Sequence, residues 1–312
     1  MKNYLFCAAL AASLLAAGAS SCDDSEMMPG QGQSTGQEGQ CLSVTTHIGE
    51  TSRSVTGKPV DAFASGDEIG LFVSSGNVND AYNGVAANKN VKSTFTTVWS
   101  QEPKVYLSNA QATIYAYYPY SAGTDDGTAV PVDHTSQTDY MYATKVTGIS
   151  NRQATAALTM NHALSLVQFN LKKQNYTGPG QLTAIKIANK AGGSALISQG
   201  TLNIQTGTIA KGASKEAVTK ATNLPQTIGT WSESTYPKML VIPTSATAAT
   251  GDIVISFTVD GLVYNWNVPS GTAWEQGKKN TYTVTLKGTE LVVSPVTIEP
   301  WDTGLTQSGD IQ

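Results

Sequence analysis

A two-residue alternation of apolar and polar side chains recurs from Cys41 almost to the C-terminus and constrains this chain most strongly. Successive side chains of a β-strand point to opposite faces, so this alternation predicts strands with one buried face. The alternating runs are rich in Val, Ile, Thr, Tyr and Phe, and turn-forming clusters separate them. The runs are LSVTTHI (42–48), EIGLFV (68–73), STFTTVW (93–99), ATIYAYYPY (112–120), AALTM (156–160), ALSLVQFNL (163–171), LTAIKIA (182–188), DIVISFTV (252–259), LVYNWNV (262–268) and TYTVTLK (281–287).

These runs predict an all-β fold, since no segment after residue 40 carries a convincing helical pattern. About a dozen strands exceed one seven-stranded sandwich, so we expect two β-sandwich domains in tandem. The expected ranges are 41–160 and 161–312, with a boundary near Asn161. The pair Asp260-Gly261 lies between two alternating runs and predicts a tight hairpin. The predicted core includes Ile114, Leu166, Val167, Ile255 and Val284.

The N-terminus carries the pattern of a secretory signal peptide over residues 1–21. Lys2 is followed by an apolar run at 5–17, which is shorter than the roughly 20 residues that cross a membrane as a helix. Small residues then lead to Cys22, as in bacterial lipoprotein signals, whose cysteine is lipidated and becomes the new N-terminus. An ordinary signal peptide with an incidental cysteine is the alternative. By resemblance to known sorting signals, Asp23 and Asp24 favour the outer membrane and surface exposure.

The segment 22–40 is rich in Gly, Gln and Ser and nearly free of aliphatic side chains, so it predicts a disordered tether. The chain has three cysteines. If Cys7 leaves with the signal peptide and Cys22 carries lipid, Cys41 is left alone. We therefore expect no intramolecular disulfide in the mature protein.

Composition and motifs exclude several classes of function. A formal charge of −4, with 13% charged residues and no Lys/Arg cluster, argues against nucleic-acid binding. The histidines His47, His134 and His162 lack zinc-ligand spacing, and His162 is interpreted as a structural residue. No nucleophile elbow or calcium loop is present, so we expect no metal, no cofactor and no enzymatic activity.

Several stretches, taken in order, resemble the fimbrillin family, the type V pilins of anaerobic Gram-negative bacteria. They are the lipoprotein start, GETSRSV, FASGDEIGLFV (63–73), YAYYPY with TDYMYA, LTMNHALSLVQFNL (158–171) and WEQGKKNTYTVTLKGTELVVSPVTIEPWDTG (274–304). The resemblance implies two transthyretin-like β-sandwich domains in tandem. It also implies a structural subunit of a surface fibre that reaches the outer membrane as a palmitoylated lipoprotein and supports adhesion to host surfaces or other bacteria.

In that family a trypsin-like protease removes the N-terminal segment, and a strand from a neighbouring subunit fills the gap. The chain has two arginines, Arg53 and Arg152, and Arg53 lies in a polar segment after the first predicted strand. Cleavage after Arg53 would make Ser54 the new N-terminus. The candidate donor is the C-terminal segment LVVSPVTIEPW, in which the side chains proposed to fill the gap are Val292, Val296, Ile298 and Trp301. The new N-terminus is the alternative donor.

Two other functions remain open on sequence alone. One is a monomeric surface lipoprotein that binds glycan or host protein through the aromatic run 115–120 or through loops. The other is a tip or anchor pilin, although the chain ends soon after IEPWDTG without an added lectin-like domain. The alternation in 115–120 favours core and sheet surface over a binding wall.

Overall fold

β-Strands make up nearly all the regular structure of the computed structural model, which describes residues 40–48, 62–85, 88–219, 224–229, 231–288 and 290–301. Short 3-10 turns occupy His134–Ser136 and Glu233–Thr235. Within those ranges, no helix has the length and apolar character needed to cross a membrane. The strands are β1 (Gln40–Cys41), β2 (Ser43–Ile48), β3 (Glu68–Ser74), β4 (Val91–Phe95), β5 (Trp99–Glu102), β6 (Tyr106–Leu107), β7 (Ala112–Tyr118), β8 (Val130–Asp133), β9 (Met141–Thr144), β10 (Val146–Ile149), β11 (Thr155–His162), β12 (Ser165–Gln174), β13 (Gln181–Asn189), β14 (Gln199–Leu202), β15 (Ile209–Lys211), β16 (Gln226–Thr227), β17 (Lys238–Val241), β18 (Ile253–Val259), β19 (Leu262–Asn267), β20 (Lys278–Lys287), β21 (Glu290–Val293) and β22 (Thr297–Pro300).

Eight of the eleven strands before residue 163 build one large sheet, whereas β1 pairs with β6 and β8 belongs to another sheet. The order of the large sheet is β2-β11-β9-β7-β3-β4-β5, with β10 paired to β7. The pairs are antiparallel except β2 with β11, which run parallel. Alternate side chains of these strands form a first core, which includes Leu42, Val44, Leu71, Ile114 and Leu158. The side chains on one face of the predicted strands thus find a common apolar interior.

Nine of the eleven strands after residue 163 form two sheets that pack face to face. One has the order β17-β12-β20-β21 with β22 also on β20, and the other has the order β16-β13-β18-β19. In β18 the inward residues alternate strictly along the strand, as predicted for a half-buried strand. Phe169 of β12 meets Phe257 of β18 edge to face, with ring centroids 5.2 Å apart. This contact joins the two sheets across a second core.

A third core lies between the two groups of sheets. The second face of β3 and β7 supplies Phe72, Tyr115 and Tyr117, and later segments supply Leu164 and Leu240. Close by, β8 pairs antiparallel with β14, so one small sheet contains strands from both halves of the chain. All described residues belong to one compact unit. The tandem domain division at Asn161 stays a prediction.

The strands match most of the predicted alternation. The five predicted core residues are all buried, with at most 2% of any of them exposed. Asp260 and Gly261 have φ of 49° and 79°, and they join β18 to β19 in the predicted two-residue turn. One prediction was wrong in detail, because STFTTVW is not a single strand. It forms the hairpin of β4 and β5, and Val98 at the turn is 67% exposed.

Two predictions for the N-terminal region need correction. Gln40, the last residue of the predicted tether, lies in β1 opposite Leu107. Cys41 is disulfide-bonded, so the expectation that it is unpaired was wrong for the full chain. That expectation removed Cys7 and Cys22 from consideration, whereas the full chain contains both cysteines. Both cysteines, the signal peptide 1–21 and residues 22–39 of the tether lie outside the described residues.

Candidate functional site

The first long strand, β2, lies at one end of the large sheet. It pairs parallel with β11 from Ser43 opposite Thr155 to Ile48 opposite Met160. Its inward side chains Val44 and Ile48, together with Leu42 just before the strand, are 3–5% exposed and belong to the first core. Parallel neighbours distant in sequence are unusual in an otherwise antiparallel sheet. The strand is thus part of the core, although it forms backbone hydrogen bonds with only one of the described strands of the sheet, β11.

A side-chain hydrogen bond fixes the other flank of β2. The indole Nε1–H of Trp99, on β5, donates to the hydroxyl oxygen of Thr46 at 2.9 Å. Next to β2, the backbone N–H of Leu42 donates to the carbonyl of Val105 at 2.8 Å. The segment 40–48 therefore fills a groove between β11 on one side and the β5–β6 region on the other.

The Trp99 ring is held in place by residues outside β2. Phe63 lies edge-on to it at 5.0 Å between ring centroids, and Phe95 lies at 5.1 Å. Trp99 is 7% exposed. The indole N–H is thus a fixed, nearly buried donor that β2 satisfies.

The proposed protease site lies outside the described residues, since Arg53 and Ser54 fall between β2 and the described chain from residue 62. Arg152, the other arginine, is exposed next to the isolated bridge between Ser150 and Gln153.

The C-terminal segment, which we define as residues 290–301, forms an edge of the second half. Both β21 and β22 pair antiparallel with β20, and β21 covers its end while β22 covers its start. The two strands act as one edge strand interrupted around Pro295. Proline has no N–H to donate, so an edge strand or a break is where it is tolerated. No strand covers the outer side of this segment in the described sheet order.

The segment has an inner and an outer face. Leu291, Val293 and Val296 pack against the second core. Val292 and Ile298 are 40% and 53% exposed. Of the proposed donor side chains, Val292 and Ile298 therefore face solvent, Val296 is half-buried, and Trp301 packs against the third core.

Trp301 fastens the end of the segment to the junction of the two halves. Its ring stacks on the His162 ring, with centroids 3.9 Å apart and planes 7° apart. His162 Nδ1 lies 2.9 Å from Oδ2 of the buried Asp139. This confirms the structural interpretation of His162. In the described ranges no group of three or more metal-ligating side chains comes together.

An ion-pair group ties β22 to its neighbours. Lys279 Nζ lies 2.6 Å from Glu233 and 3.0 Å from Glu299. Burial lowers the pKa of Lys279, but the two carboxylates outweigh burial and the net shift raises it. The ammonium therefore stays charged between Glu299 of the segment and Glu233 of the adjoining turn.

The aromatic run 115–120 is mainly structural. Tyr115 and Tyr117 are 1% exposed, and their hydroxyls donate to the Gly76 carbonyl at 2.8 Å and to Asn90 Oδ1 at 2.7 Å. Burial raises the pKa of both tyrosines. These rings cannot form an open wall for a glycan, which confirms the core interpretation of this run.

Sequence reasoning missed the contacts that fix both segments. Tryptophan at 99 was assigned to a continuous strand, so its bond to Thr46 was not expected. The stack of Trp301 on His162 joins residues 139 positions apart, which no local pattern reveals. Burial of both faces of β7 was signalled only by the near-continuous apolar run at 112–118.

The geometry of β2 and the C-terminal segment can be compared with known proteins. The sequence profile of the fimbrillin-like family matches residues 52–301. The chain belongs to the fimbrillin-like family. The matched range begins next to Arg53 and ends at Trp301, so it leaves out β2 and includes the C-terminal segment. No curated protein matches this chain.

Solved structures share the fold of this fimbrillin-like chain. A candidate cell adhesion protein from Bacteroides ovatus matches with a TM-score of 0.66 and 17% identity, covering 85% of this chain and 99% of that one. A candidate cell adhesion protein from Bacteroides uniformis matches with a TM-score of 0.60 and 22% identity, covering 84% and 98%. A fimbrial protein from Bacteroides vulgatus matches with a TM-score of 0.50 and 14% identity, covering 84% and 99%.

Proposed function

We propose that this chain is the structural subunit of a cell-surface fimbria and supports adhesion, without enzymatic activity. It is exported as a lipoprotein, cleaved after Arg53, and polymerised when a neighbour's C-terminal segment replaces β2. Membership of the fimbrillin-like family supports assembly with other pilin subunits. The observation that carries the mechanism is that the segment 42–48, which contains β2 and precedes Arg53, supplies three buried side chains to the first core.

Loss of β2 should leave a subunit that requires a replacement strand. Fully burying an aliphatic side chain contributes roughly 1.5–3 kcal/mol, so Leu42, Val44 and Ile48 together contribute about 5–9 kcal/mol. Whole domains are stable by about 5–15 kcal/mol. Removal of β2 would also turn β11 into an unpaired edge beside an open apolar groove. A strand added from another chain would pair with the backbone groups of β11 and fill the apolar groove.

The C-terminal segment is the donor we propose for that groove. It is an edge strand already and has no described strand on its outer side, so β20 is the one strand whose backbone hydrogen bonds it loses when it leaves its own sheet. Its outer face carries Val292 and Ile298, which are exposed in the subunit. The donated segment would bury these side chains together with Val296, while Trp301 leaves His162. Partners of the finished fibre on host surfaces or other bacteria would contact the exposed loops of the subunit.

Arg53→Ala tests the cleavage step against Arg152→Ala, which removes the other arginine. The first variant should remain an uncleaved monomer after treatment with an Arg-specific protease. The second should be cleaved and polymerise like the wild type, as judged by size exclusion and electron microscopy. Normal fibres from Arg53→Ala would contradict the mechanism.

Truncation after Leu291 tests the donor. A chain that ends there keeps Arg53 and should be cleaved, but it should fail to extend fibres at the donor end. Fibres of ordinary length from this truncated chain would assign the donor role to the new N-terminus at Ser54 instead.

The lipid anchor at Cys22 needs a separate test. If Cys22 carries lipid, it cannot also be the partner of Cys41, whose disulfide is present in the full chain. Metabolic acyl labelling and mass spectrometry of the uncleaved protein should find lipid on Cys22, and Cys22→Ser should release the protein from membranes. An N-terminus at Ser20 or Ser21 would contradict the outer-membrane anchor.

A further inference from the structure

The groove that β2 fills has one polar position among apolar ones. Along residues 42–48, the inward residues at every second position are Leu42, Val44, Thr46 and Ile48. The first, second and fourth are buried aliphatic side chains, whereas the third accepts the indole hydrogen of Trp99. We refer to these four positions as the seats of the groove.

The polar seat remains defined after cleavage, because Phe63 and Phe95 position the Trp99 ring and all three aromatic residues follow Arg53. Removing β2 takes away the Thr46 hydroxyl and leaves the nearly buried indole N–H without that acceptor. An incoming strand that brought no acceptor would bury an unsatisfied donor, which is costly. The groove therefore demands a hydroxyl or another acceptor at the third seat.

The C-terminal segment 290–301 contains two hydroxyl residues, Ser294 and Thr297. Each can occupy the third seat in either strand direction, which gives four registers. Thr297 in that seat buries Glu299 in an apolar seat in both directions. Ser294 in the same direction as β2 buries Glu290 in the first seat. A buried, unpaired carboxylate is strongly unfavourable, so these three registers are rejected.

The fourth register matches every seat. With the segment running opposite to β2, Ile298 takes the seat of Leu42, Val296 that of Val44, Ser294 that of Thr46 and Val292 that of Ile48. We propose that the C-terminal segment of a second copy of this chain enters the groove in this register, antiparallel to β11. Trp99 then acts as the specificity-determining residue and binds the Ser294 hydroxyl. This inference rests on the proposed function, since it requires β2 to be removed.

Three of the four side chains that the register needs face solvent in the subunit, whereas the fourth, Val296, packs against the second core. Val292, Ser294 and Ile298 are exposed in the subunit, and their even numbering puts them on the same side of an extended strand. The opposite side carries Leu291 and Val293, which pack on the subunit's own core. Three of the four pairing side chains are therefore exposed before assembly, and Val296 becomes available only when the segment leaves its own sheet.

Disulfide trapping distinguishes the two directions. In the subunit Val44 lies opposite Ala156 of β11, so the residue that takes Val44's seat also lies opposite Ala156. The proposed register places Val296 there, whereas the reverse direction about Ser294 places Val292 there. Cysteines 7, 22 and 41 all precede Arg53, so the processed subunit has no cysteine of its own.

Full-length chains carrying Ala156→Cys with Val296→Cys, or Ala156→Cys with Val292→Cys, should be cleaved, assembled and oxidised. The inference predicts intersubunit cross-links that run as ladders on non-reducing gels for the first pair and not for the second. Cross-links in the second pair, or fibres that grow normally with neither pair cross-linked, would overturn the register while leaving strand exchange intact. Failure of the cleaved wild type to polymerise would overturn the proposed function itself.

Ser294→Ala tests the polar seat without disturbing the subunit, because the side chain is exposed there. Loss of the acceptor should weaken subunit association about tenfold relative to wild type, whereas Ser294→Thr, which restores the hydroxyl of the natural strand, should rescue it. The thermal stability of all uncleaved variants should match. A larger defect in Thr297→Ala than in Ser294→Ala would overturn the assignment.

Discussion

At the residue scale, His134 joins the two halves of the molecule through a bond that depends on its protonation. The ring is fully buried, and its Nδ1 accepts the backbone N–H of Ile242 at 3.1 Å. Burial lowers the pKa of His134 from 6.5 to about 4. Protonation of Nδ1 would remove the hydrogen-bond acceptor and place a charge on a buried ring. The native state therefore keeps His134 neutral.

The sign of the pH effect follows from this depressed pKa. His134 takes up a proton near pH 6.5 in the unfolded chain but only near pH 4 in the native chain. The free energy of unfolding therefore falls as the pH drops from 6.5 to 4, and this loss is complete below pH 4. The expected loss is about 3 kcal/mol. In urea unfolding, His134→Gln should be less stable than wild type at pH 7.5, and the gap should narrow towards pH 4. A gap that stayed constant with pH would contradict the assignment.

Trp301 predicts a second effect at this scale. Its stack on His162 should hold the C-terminal segment against the third core, and aromatic pairs contribute about 0.5–1.5 kcal/mol beyond their buried area. Trp301→Ala should therefore raise amide hydrogen exchange in residues 290–301, whereas Trp301→Phe, which keeps a ring, should restore most of the protection. Equal exchange in both variants would show that stacking is not the cause.

At the element scale, the β18–β19 hairpin depends on a glycine. Gly261 has a φ of +79°, where an L side chain costs about 1–2 kcal/mol, although open space surrounds its Cβ position. Gly123 also has open space but no positive φ. Thermal unfolding should therefore show Gly261→Ala destabilised by about 1–2 kcal/mol and Gly123→Ala near wild type. Equal stabilities would mean that the turn carries no backbone constraint.

The sequence predicted long strands better than short ones. Alternation over seven residues marked β18 clearly, whereas β8 and β14 are four residues each and give too few alternations to recognise. The hairpin of β4 and β5 was read as one strand because its turn, which includes the exposed Val98, lacks glycine and proline. The alternation thus predicted strands better than it predicted the positions of turns.

The candidate site was predictable in part. The sequence pointed to Val292, Val296, Ile298 and Trp301 as donor side chains, but it did not reveal that Val296 and Trp301 pack inward in the subunit. The present pairing of the C-terminal segment with β20, and the parallel pairing of β2 with β11, are long-range contacts that no local pattern specifies. The acceptor requirement at Trp99 likewise emerges only when residues 46 and 99 are brought together.

At the scale of the whole molecule, the two halves share a core and a sheet. The third core joins β3 and β7 to Leu164, Leu240 and Trp301, while β8 pairs with β14. The large sheet and the C-terminal edge strand are therefore supported from the same interior. The third core and the shared sheet thus support both the large sheet, which loses β2 in the proposed mechanism, and the sheet from which the C-terminal segment is released.

The N-terminus of the subunit recovered from fibres tests the central claim most directly. Fibres should be isolated from the cell surface, dissociated, and analysed by intact mass and N-terminal sequencing. Our account predicts a subunit that begins at Ser54, because β2 must leave before a neighbour's segment can enter its groove. Fibres built from subunits that still carry residues 22–53 would contradict it.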